Sequence, residues 1–336
     1  METMLNHKVV LATRPTGMPT LANFRLDEEG VTEPDPGKVV VAVDVLSIDA
    51  FIRTTLEARA YHGSVPIGAT VVALGVGRVL QSSVDDFREG DTVFGPLGAQ
   101  TVATVRAATL RKLDIDKFPA TTYLGALGMT TGLTAYFGVI EVGAVKPGET
   151  VVVSGAAGAV GSLAGQIARI AGADNVIGIA GGAEKAAFLV DDLGFSAAID
   201  YKNENIEERL AELAPNGIDV FFDNVGGPAL DAALMHINEQ ARVVICGGIS
   251  HYQDMDHVVG PKNYLKLAER HARMEGFAVT HFSNRFAEAE TVLAGWLENS
   301  KLIVNEQFEY GIGRFPEALL MLMTGGNRGK LLLDLR

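Results

Sequence analysis

The segment that decides the fold is Thr150-Val151-Val152-Val153-Ser154-Gly155-Ala156-Ala157-Gly158-Ala159-Val160-Gly161. Its three consecutive β-branched valines are typical of a buried strand, and glycines at every third position follow them. After these glycines, apolar residues recur at helical spacing through Ile170. A strand, a glycine turn and a helix in this order predict a backbone that can approach a pyrophosphate at a helix N-terminus.

Strands and helices continue to alternate after this segment. Apolar runs predict five further strands, at residues 175–180, 197–200, 218–223, 242–246 and 277–279. Helical patterns lie between them or follow them, at residues 183–193, at 204–214, from Pro228 onward and at 286–297. This alternation predicts an α/β fold with a doubly wound parallel sheet of the Rossmann type. A sheet of this type makes dinucleotide binding a much stronger interpretation of the glycine turn than close packing alone.

The first 120 residues have a different pattern. Residues 1–37 contain four prolines and show little period, and Val39, Val41, Val43 and Val45 then alternate as in a strand buried on one face. Further β-rich runs cover 69–80, where Gly75 and Gly77 mark a bend or bulge, then 92–94 and 101–105. Short strands between glycine turns predict a β-rich, barrel-like unit. We expect the C-terminal segment to rejoin it, which gives domains of 1–124, 125–300 and 301–336.

Composition excludes several classes of function. The 336 residues carry 41 acidic against 28 basic side chains, a net charge of −13, which disfavours nucleic acid and anionic membranes as partners. The lone Cys246 excludes an internal disulfide and a multi-cysteine zinc site. No signal peptide and no run of about 18 apolar residues is present, so we expect a cytoplasmic protein.

The end of the second strand indicates which dinucleotide binds. NAD-binding units place an acidic residue about 20 residues after the glycines, to hold the ribose 2′-hydroxyl. Here the small residues Ala180, Gly181 and Gly182 leave room for a phosphate, and Lys185 supplies positive charge in the first turn of a helix. This pattern favours NADPH, and the alternative is a solvated lysine balanced by Glu184.

The chemistry follows from the types of residue that are missing. None of the histidines has a partner at metal-ligand spacing; they are His7, His62, His236, His251, His257, His271 and His281. Without a Lewis acid, oxidation of a simple alcohol is unattractive. Hydride addition to an electron-poor carbon–carbon double bond is easier, because the enolate oxygen needs only hydrogen bonds.

Two predicted loops supply candidate polar groups at the carboxyl edge of the sheet. Tyr252 follows the strand at 242–246, where it can donate to a developing oxyanion or close over the cofactor, with His251 as a second candidate donor. Asn224 follows the strand at 218–223 and offers both donor and acceptor to a ribose or carboxamide. The alternatives are a surface aromatic residue and a simple Asn/Gly turn.

Several of these motifs resemble a known family. They are Gly132-Leu133-Thr134-Ala135-Tyr136, the glycine turn with Gln166-Ile167-Ala168, Gly178–Gly182 with Glu184-Lys185, residues 198–202, 222–227, and Gly326-Asn327-Arg328-Gly329-Lys330-Leu331. Together they look like the zinc-independent medium-chain dehydrogenase/reductases. Within that family they are similar to the alkenal/one oxidoreductases, which include leukotriene B4 12-hydroxydehydrogenase/prostaglandin reductases and curcumin reductases. The resemblance covers nearly the whole chain and is loosest before residue 70.

The resemblance implies a GroES-like catalytic domain interrupted by a Rossmann domain, with NADPH as cofactor and enones or enals as substrates. Members are commonly homodimers. By matching motif, Lys185 and Tyr201 would contact the 2′-phosphate, and Asn224 and Asn327 other parts of NADPH, while Tyr252 would be the catalytic tyrosine. The pyrophosphate would lie on the turn, at Gly155, Ala156, Gly158, Ala159, Val160 and Gly161.

Three departures from the family leave the substrate open. Asp49-Ala50-Phe51 stands where the family often has Asp-Pro-Tyr, so a cleft hydroxyl is missing, and Tyr61 and His62 are candidates to replace it. Met129-Thr130-Thr131-Gly132 is one residue longer than the family's Met-Pro-Gly, and Ala99-Gln100-Thr101 replaces a more aromatic sequence. Quinone reduction, or NADPH binding with weakened catalysis, are therefore the alternative functions.

Overall fold

The computed structural model describes residues 4–58 and 62–336. The chain divides into two compact units. The first unit comprises Met1–Leu124, Glu306–Asn327 and Leu331–Arg336, and the second comprises Gly125–Asn305 and Arg328–Lys330. The second unit is thus an insertion in the sequence of the first, and three C-terminal residues return to it.

The first unit is built mainly of antiparallel strands. These are β1 (Leu5–Leu11), β2 (Phe24–Gly30), β3 (Lys38–Ser47), β4 (Gly75–Ser82), β5 (Thr92–Gly95), β6 (Val102–Arg106) and β7 (Arg111–Lys112). β1 and β2 form a two-stranded sheet, and isolated bridges join β1 to Gln100 and Thr70. The unit also contains the short helix α1 (Phe51–Thr55) and, from the C-terminal segment, β14 (Glu306–Tyr310), α9 (Phe315–Met323) and β15 (Lys330–Asp334). The larger sheet has the order β14-β15-β3-β4-β5-β7, with β6 on β3.

Strand β3 is the centre of this unit. It pairs with β15, β4 and β6. Val39, Val41, Val43 and Val45 are all buried, and Ala42 and Asp44 between them are half-buried, as the alternation predicts. Val40 is buried as well, so the alternation is not strict. The predicted bulge is present, because the register of β3 on β4 shifts between Val43 and Val45, opposite Gly77 and Val76.

The second unit contains a six-stranded sheet. Its strands are β8 (Thr150–Ser154), β9 (Asn175–Ala180), β10 (Ala197–Asp200), β11 (Ile218–Asp223), β12 (Ile237–Ile245) and β13 (Arg273–Gly276). The order is β10-β9-β8-β11-β12-β13 and every neighbouring pair is parallel. The predicted doubly wound parallel sheet is therefore confirmed. The chain reverses its direction of winding between β8 and β11, and ligands of such folds bind at this switch point.

Helices link these strands. They are α2 (Thr134–Phe137), α3 (Ala159–Ile170), α4 (Ala183–Ala187), α5 (Ile206–Leu213), α6 (Gly227–Met235), α7 (Leu265–Glu269) and α8 (Phe286–Glu298). π-helical turns flank α2, at Met129–Leu133 and Gly138–Val142, and another, Phe188–Asp192, continues α4. Within the described ranges, no helix is both long and apolar enough to cross a bilayer.

Some predicted elements are wrong. The last strand of the parallel sheet is Arg273–Gly276 and not 277–279, because this edge strand is exposed along its length and has no apolar pattern to find. Residues 1–37 form β1 and β2 despite their prolines. The run 69–80 becomes a strand only from Gly75, and helix α9 was not predicted.

Two glycines in helix interiors give a matched test of the packing. A methyl group added to Gly165 in α3 would overlap the ring of buried Phe195, whereas at Gly295 in α8 no atom lies within 4 Å of the added carbon. We expect Gly165→Ala to lower the free energy of unfolding by about 1–3 kcal/mol. Gly295→Ala should raise it by about 0.5–1 kcal/mol, since alanine favours the helix. Urea titrations followed by circular dichroism measure both, and equal effects would contradict the packing described.

Candidate dinucleotide-binding site

The glycine turn after β8 is closed by contacts that exclude side chains. Gly155 has φ +57°, a left-handed conformation that favours glycine. A Cβ at Gly161 would overlap the carbonyl of Gly155, and one at Gly158 would lie 3.3 Å from the same oxygen. The first turn of α3 can therefore pack directly on the loop that precedes it.

This packing leaves the N-terminus of α3 open. Gly158 is the N-cap residue and no side chain caps the helix. Ala159 and Val160, the first two helical residues, are half-buried, whereas Ala156 is fully buried and donates its N–H to Ile179 at 3.0 Å. Uncapped N–H groups and the helix dipole favour an anion at this position.

A segment from the C-terminus pairs with the same turn. The Gly329 N–H donates to the Ala157 carbonyl at 2.8 Å, and Gly329 forms a parallel bridge with Gly158. Gly329 has φ +70°, and a side chain there would overlap the Asn305 carbonyl. This pairing places Arg328 in the second unit, beside residues far away in the sequence.

A buried carboxylate accepts hydrogen bonds from the backbone that follows β9. Asp200, at the end of β10, accepts hydrogen bonds from the Gly182 N–H at 2.6 Å and the Lys202 N–H at 3.1 Å. Asn203 donates to its second oxygen at 2.7 Å. The Gly182 hydrogen bond, followed by that of Asn203, lowers the pKa of the Asp200 carboxyl below its ordinary value. The carboxylate is buried and thereby holds the Gly181–Gly182 backbone in place.

Tyr201 packs on Gly181. Its N–H donates to the Ala180 carbonyl at 3.0 Å, and its ring carbon Cζ lies 2.8 Å from the position that a Cβ of Gly181 would occupy. The Tyr201 side chain remains half exposed. A side chain at 181 would therefore displace the tyrosine ring from its place beside the end of β9.

Three cations gather at this point, and we call Lys185, Lys202 and Arg328 the cation group. Burial, then the charges of Lys202 and Arg328, lower the pKa of the Lys185 ammonium group. The Arg328 guanidinium lies over the ring of Phe188, 4.7 Å from its centroid, and Phe188 is in the π-helical turn that follows α4. These three cations repel one another, although the whole protein has a net charge of −13. An anion bound between them would relieve this repulsion.

The other side of the glycine turn carries an amide. Asn224 follows β11, and its Nδ2 donates to the Ser154 carbonyl at 2.7 Å while its N–H donates to Ser154 Oγ at 2.8 Å. The Asn224 Cβ lies 3.4 Å from the position of a Cβ on Gly155. The predicted amide is therefore next to the turn, at the switch point of the sheet.

Tyr252 lies beyond the end of β12. Its N–H donates to the Ile249 carbonyl at 3.2 Å, and its hydroxyl oxygen is 3.8 Å from the position of a Cβ on Gly247. Burial raises the pKa of this hydroxyl, although a hydrogen bond from the Gly248 backbone acts in the opposite direction. The tyrosine stays protonated at neutral pH and can donate a hydrogen bond.

Two neighbours of Tyr252 have different roles. The Nε2 atom of His251 lies 3.0 Å from the position of a Cβ on Gly226, so the imidazole covers the turn after β11. Burial, together with the charge of Asp223, raises the pKa of the Cys246 thiol to about 12. Cys246 is therefore a thiol and not a nucleophilic thiolate at neutral pH.

Two of the three departures from the family pattern lie in the first unit, and residues 129–132 lie in the second. Thr54 Oγ1 donates to the Phe51 carbonyl at 2.7 Å, so the Nδ1 atom of His62, 3.1 Å away, is the donor to that hydroxyl. The His62 and Phe51 rings are 5.5 Å apart, and burial lowers the pKa of the imidazole. Tyr61 lies outside the described residues. Asn327 is buried and belongs to the first unit, so its cofactor contact stays a prediction.

Sequence reasoning missed two members of the cation group and one buried acid. Arg328 and Lys202 were inside motifs that the sequence analysis quoted, but no spacing connects them with Lys185. Asp223 had no predicted role beyond ending the strand at 218–223, yet it is fully buried and accepts a hydrogen bond from Ser154 Oγ at 2.6 Å. A buried strand that ends in an acid before glycines is the signal that could have found it.

These features together fit a phosphorylated dinucleotide. The glycine turn forms a cradle that a Cβ would fill, the uncapped helix offers N–H donors to a pyrophosphate, and the cation group offers charge to a further phosphate. In residues 4–58 and 62–336, no three His, Cys, Asp or Glu side chains come together as a possible metal site.

Comparison with known proteins places the chain in a family. Residues 7–113 match the family described as the N-terminal domain of oxidoreductase, and residues 159–295 match the family described as zinc-binding dehydrogenase. The NADPH-dependent curcumin reductase of Escherichia coli (strain K12) is 35% identical over 334 residues, which are 98% of this chain and 96% of that protein. The NADP⁺-dependent 2-alkenal reductase of Nicotiana tabacum is 34% identical, over 98% of this chain and 97% of its own length.

A solved structure has the same fold. The crystal structure of CurA from Vibrio vulnificus in complex with NADPH superposes with a TM-score of 0.93 at 34% identity, covering 98% of this chain and 99% of the other. Both halves of the sequence and the whole fold therefore agree with the resemblance seen in the motifs. The chain belongs to the zinc-independent medium-chain dehydrogenase/reductases, in the group of the NADPH-dependent reductases.

Proposed function

We propose that this protein is an oxidoreductase that uses NADPH to reduce the carbon–carbon double bond of α,β-unsaturated ketones and aldehydes. The observation that carries this proposal is the cation group beside Gly181, next to an uncapped glycine turn. The relatives support the same reading, since they are named as NADPH-dependent curcumin reductase and 2-alkenal reductase.

Residues at different strand ends of the sheet would bind different parts of NADPH. Of the predicted turn residues, Ala159, Val160 and Gly161 would bind the pyrophosphate through backbone N–H groups. Gly155, Ala156 and Gly158 would shape the cradle, because the N–H groups of Ala156 and Gly158 already donate to the carbonyls of Ile179 and Gly155. The cation group, Gly181 and Tyr201 would hold the 2′-phosphate, and Asn224 and Asn327 other parts of the cofactor. When bound, NADPH supplies the hydride that the β-carbon of the substrate receives.

Tyr252 is the residue that we assign to the reacting substrate. As hydride reaches the β-carbon, negative charge develops on the carbonyl oxygen, and a protonated hydroxyl aimed at that oxygen stabilises it. The raised pKa of the Tyr252 hydroxyl supports this role, because the group keeps its proton at neutral pH. His62 is the candidate for the polar contact that Phe51 cannot make.

We also propose that the protein acts as a cytoplasmic homodimer. Strand β13 is at the edge of the parallel sheet and its residues are exposed, which leaves one row of backbone groups available for a second copy. In this proposal the first unit is the GroES-like catalytic domain and the second is the NADPH-binding domain.

Reduction of a small enone by NADPH tests the proposed function. We expect loss of cofactor absorbance and a saturated ketone as product, with deuterium from 4-deuterated NADPH at the β-carbon. Turnover of quinones but of no enone would favour quinone reduction instead. Tight NADPH binding with no turnover of either class would favour a protein of weakened catalysis, and would overturn the proposal.

Substitution of Lys185 tests the phosphate assignment. Lys185→Ala should weaken NADPH binding roughly 10- to 100-fold, the loss expected for a hydrogen bond to a charged group. NADH binding should change less than about twofold, because NADH has no 2′-phosphate. Isothermal titration measures both, and exposed Lys301→Ala serves as the control that changes neither. Equal losses for the two cofactors would show that the assignment is wrong.

Substitution of Tyr252 tests the donor. Tyr252→Phe should lower kcat/KM for an enone at least about tenfold through removal of one oxyanion donor. NADPH affinity should stay within about twofold. Tyr264→Phe, at an exposed tyrosine of the same unit, is the matched control. An unchanged kcat/KM in Tyr252→Phe would show that another group is the donor.

A further inference from the structure

A buried pair of side chains connects the two strands that flank the switch point of the sheet. Ser154 ends β8 and Asp223 ends β11, and both are 0% exposed. We propose that Ser154 and Asp223 are positioning residues that orient the Asn224 amide toward the nicotinamide half of the dinucleotide. The inference rests on the proposed function for the identity of the cofactor.

The hydrogen bonds of the pair run in one direction. Ser154 Oγ donates its single proton to Asp223 Oδ1 at 2.6 Å, so it can only accept from the Asn224 N–H, 2.8 Å away. The N–H groups of Val225 and Gly226 also donate to the Asp223 carboxylate, at 3.0–3.1 Å. Burial raises the pKa of this carboxyl, and these donors act against that shift. Ser154, Asp223 and the three residues after Asp223 thereby share one network.

The network fixes which side of the Asn224 amide faces the ligand. Because a backbone carbonyl can only accept, the group that lies 2.7 Å from the Ser154 carbonyl is Nδ2. The amide oxygen Oδ1 must then be on the opposite side. Asn224 Cβ adjoins Gly155 in the cradle, and Oδ1 is the amide atom left to accept a hydrogen bond from a ligand.

The order of the strands indicates which part of the ligand meets this acceptor. The cation group lies at the ends of β9 and β10, on one side of β8, and would hold the phosphorylated ribose. Asn224 follows β11, on the other side of β8. A dinucleotide whose pyrophosphate lies on the turn after β8 therefore places its second half at Asn224. That half carries ribose hydroxyls and a carboxamide, which donate hydrogen bonds to an oxygen.

A truncated cofactor separates this role from general damage. We would titrate the full-length protein with NADPH and with 2′-phospho-ADP, which keeps the phosphorylated ribose and the pyrophosphate but lacks the nicotinamide and its ribose. Ser154→Ala should weaken NADPH roughly tenfold, the value of one hydrogen bond, and change the truncated ligand less than about twofold. Ser154→Cys keeps a weak donor of similar size, so its affinity for NADPH should lie between those of the wild type and Ser154→Ala. It also serves as the test variant if Ser154→Ala does not fold.

The double variant gives a second test. If Ser154 acts through Asn224, adding Ser154→Ala to Asn224→Ala should weaken NADPH binding no further. Ser162→Ala, which removes another buried hydroxyl of the same unit, should leave both affinities within about twofold. Additive losses, equal losses for both ligands, or no loss for either would overturn the positioning role.

These titrations contain no enone, so their outcome does not depend on which double bond the enzyme reduces. If the enone assay fails while Ser154→Ala weakens NADPH but not 2′-phospho-ADP, the positioning role is sustained and only the proposed reaction is removed. Wild-type protein that binds neither ligand would overturn both.

Discussion

The close approach of backbone to backbone at the glycine turn is the constraint on which the rest of the structure depends. A side chain at Gly161 would strike the Gly155 carbonyl, and Gly155 itself is left-handed. Because no Cβ intervenes, α3 begins directly over the end of β8 with its first N–H groups uncapped. The same bare backbone accepts Gly329 as a neighbour, which delivers Arg328 to the second unit.

The electrostatics of the second unit are local and oppose the charge of the whole chain. A net charge of −13 does not attract a phosphorylated ligand, so the attraction must come from a few placed groups. The cation group supplies it at the end of β9, where donors to the Asp200 carboxylate partly offset its negative charge. On the other side of β8, the buried Asp223 is likewise saturated by donors. Asp200 and Asp223 therefore both hold loop backbone in place through hydrogen bonds.

Much of the fold could be predicted because strong local signals mark it. The valines of β8 and the glycines after it identify the nucleotide-binding unit, and its doubly wound sheet is confirmed. Strand β13 was misplaced because an exposed edge strand has no apolar period. β1 and β2 were missed because their pairing is non-local.

In the site, Lys185 and Tyr201 could be chosen from their neighbours in sequence. Arg328 could not, since the tertiary pairing of Gly329 brings it to the site. The roles of all these site residues stay predictions.

The central claim is that the cation group receives the 2′-phosphate of NADPH. A crystal structure of the wild-type protein with NADP⁺ tests it most directly. We predict that the 2′-phosphate oxygens lie within hydrogen-bond distance of Lys185 and Arg328, beside the ring of Tyr201, with the pyrophosphate on the turn that ends at Gly161. A 2′-phosphate that points into solvent, or that other side chains bind while the cation group stays empty, would contradict the account.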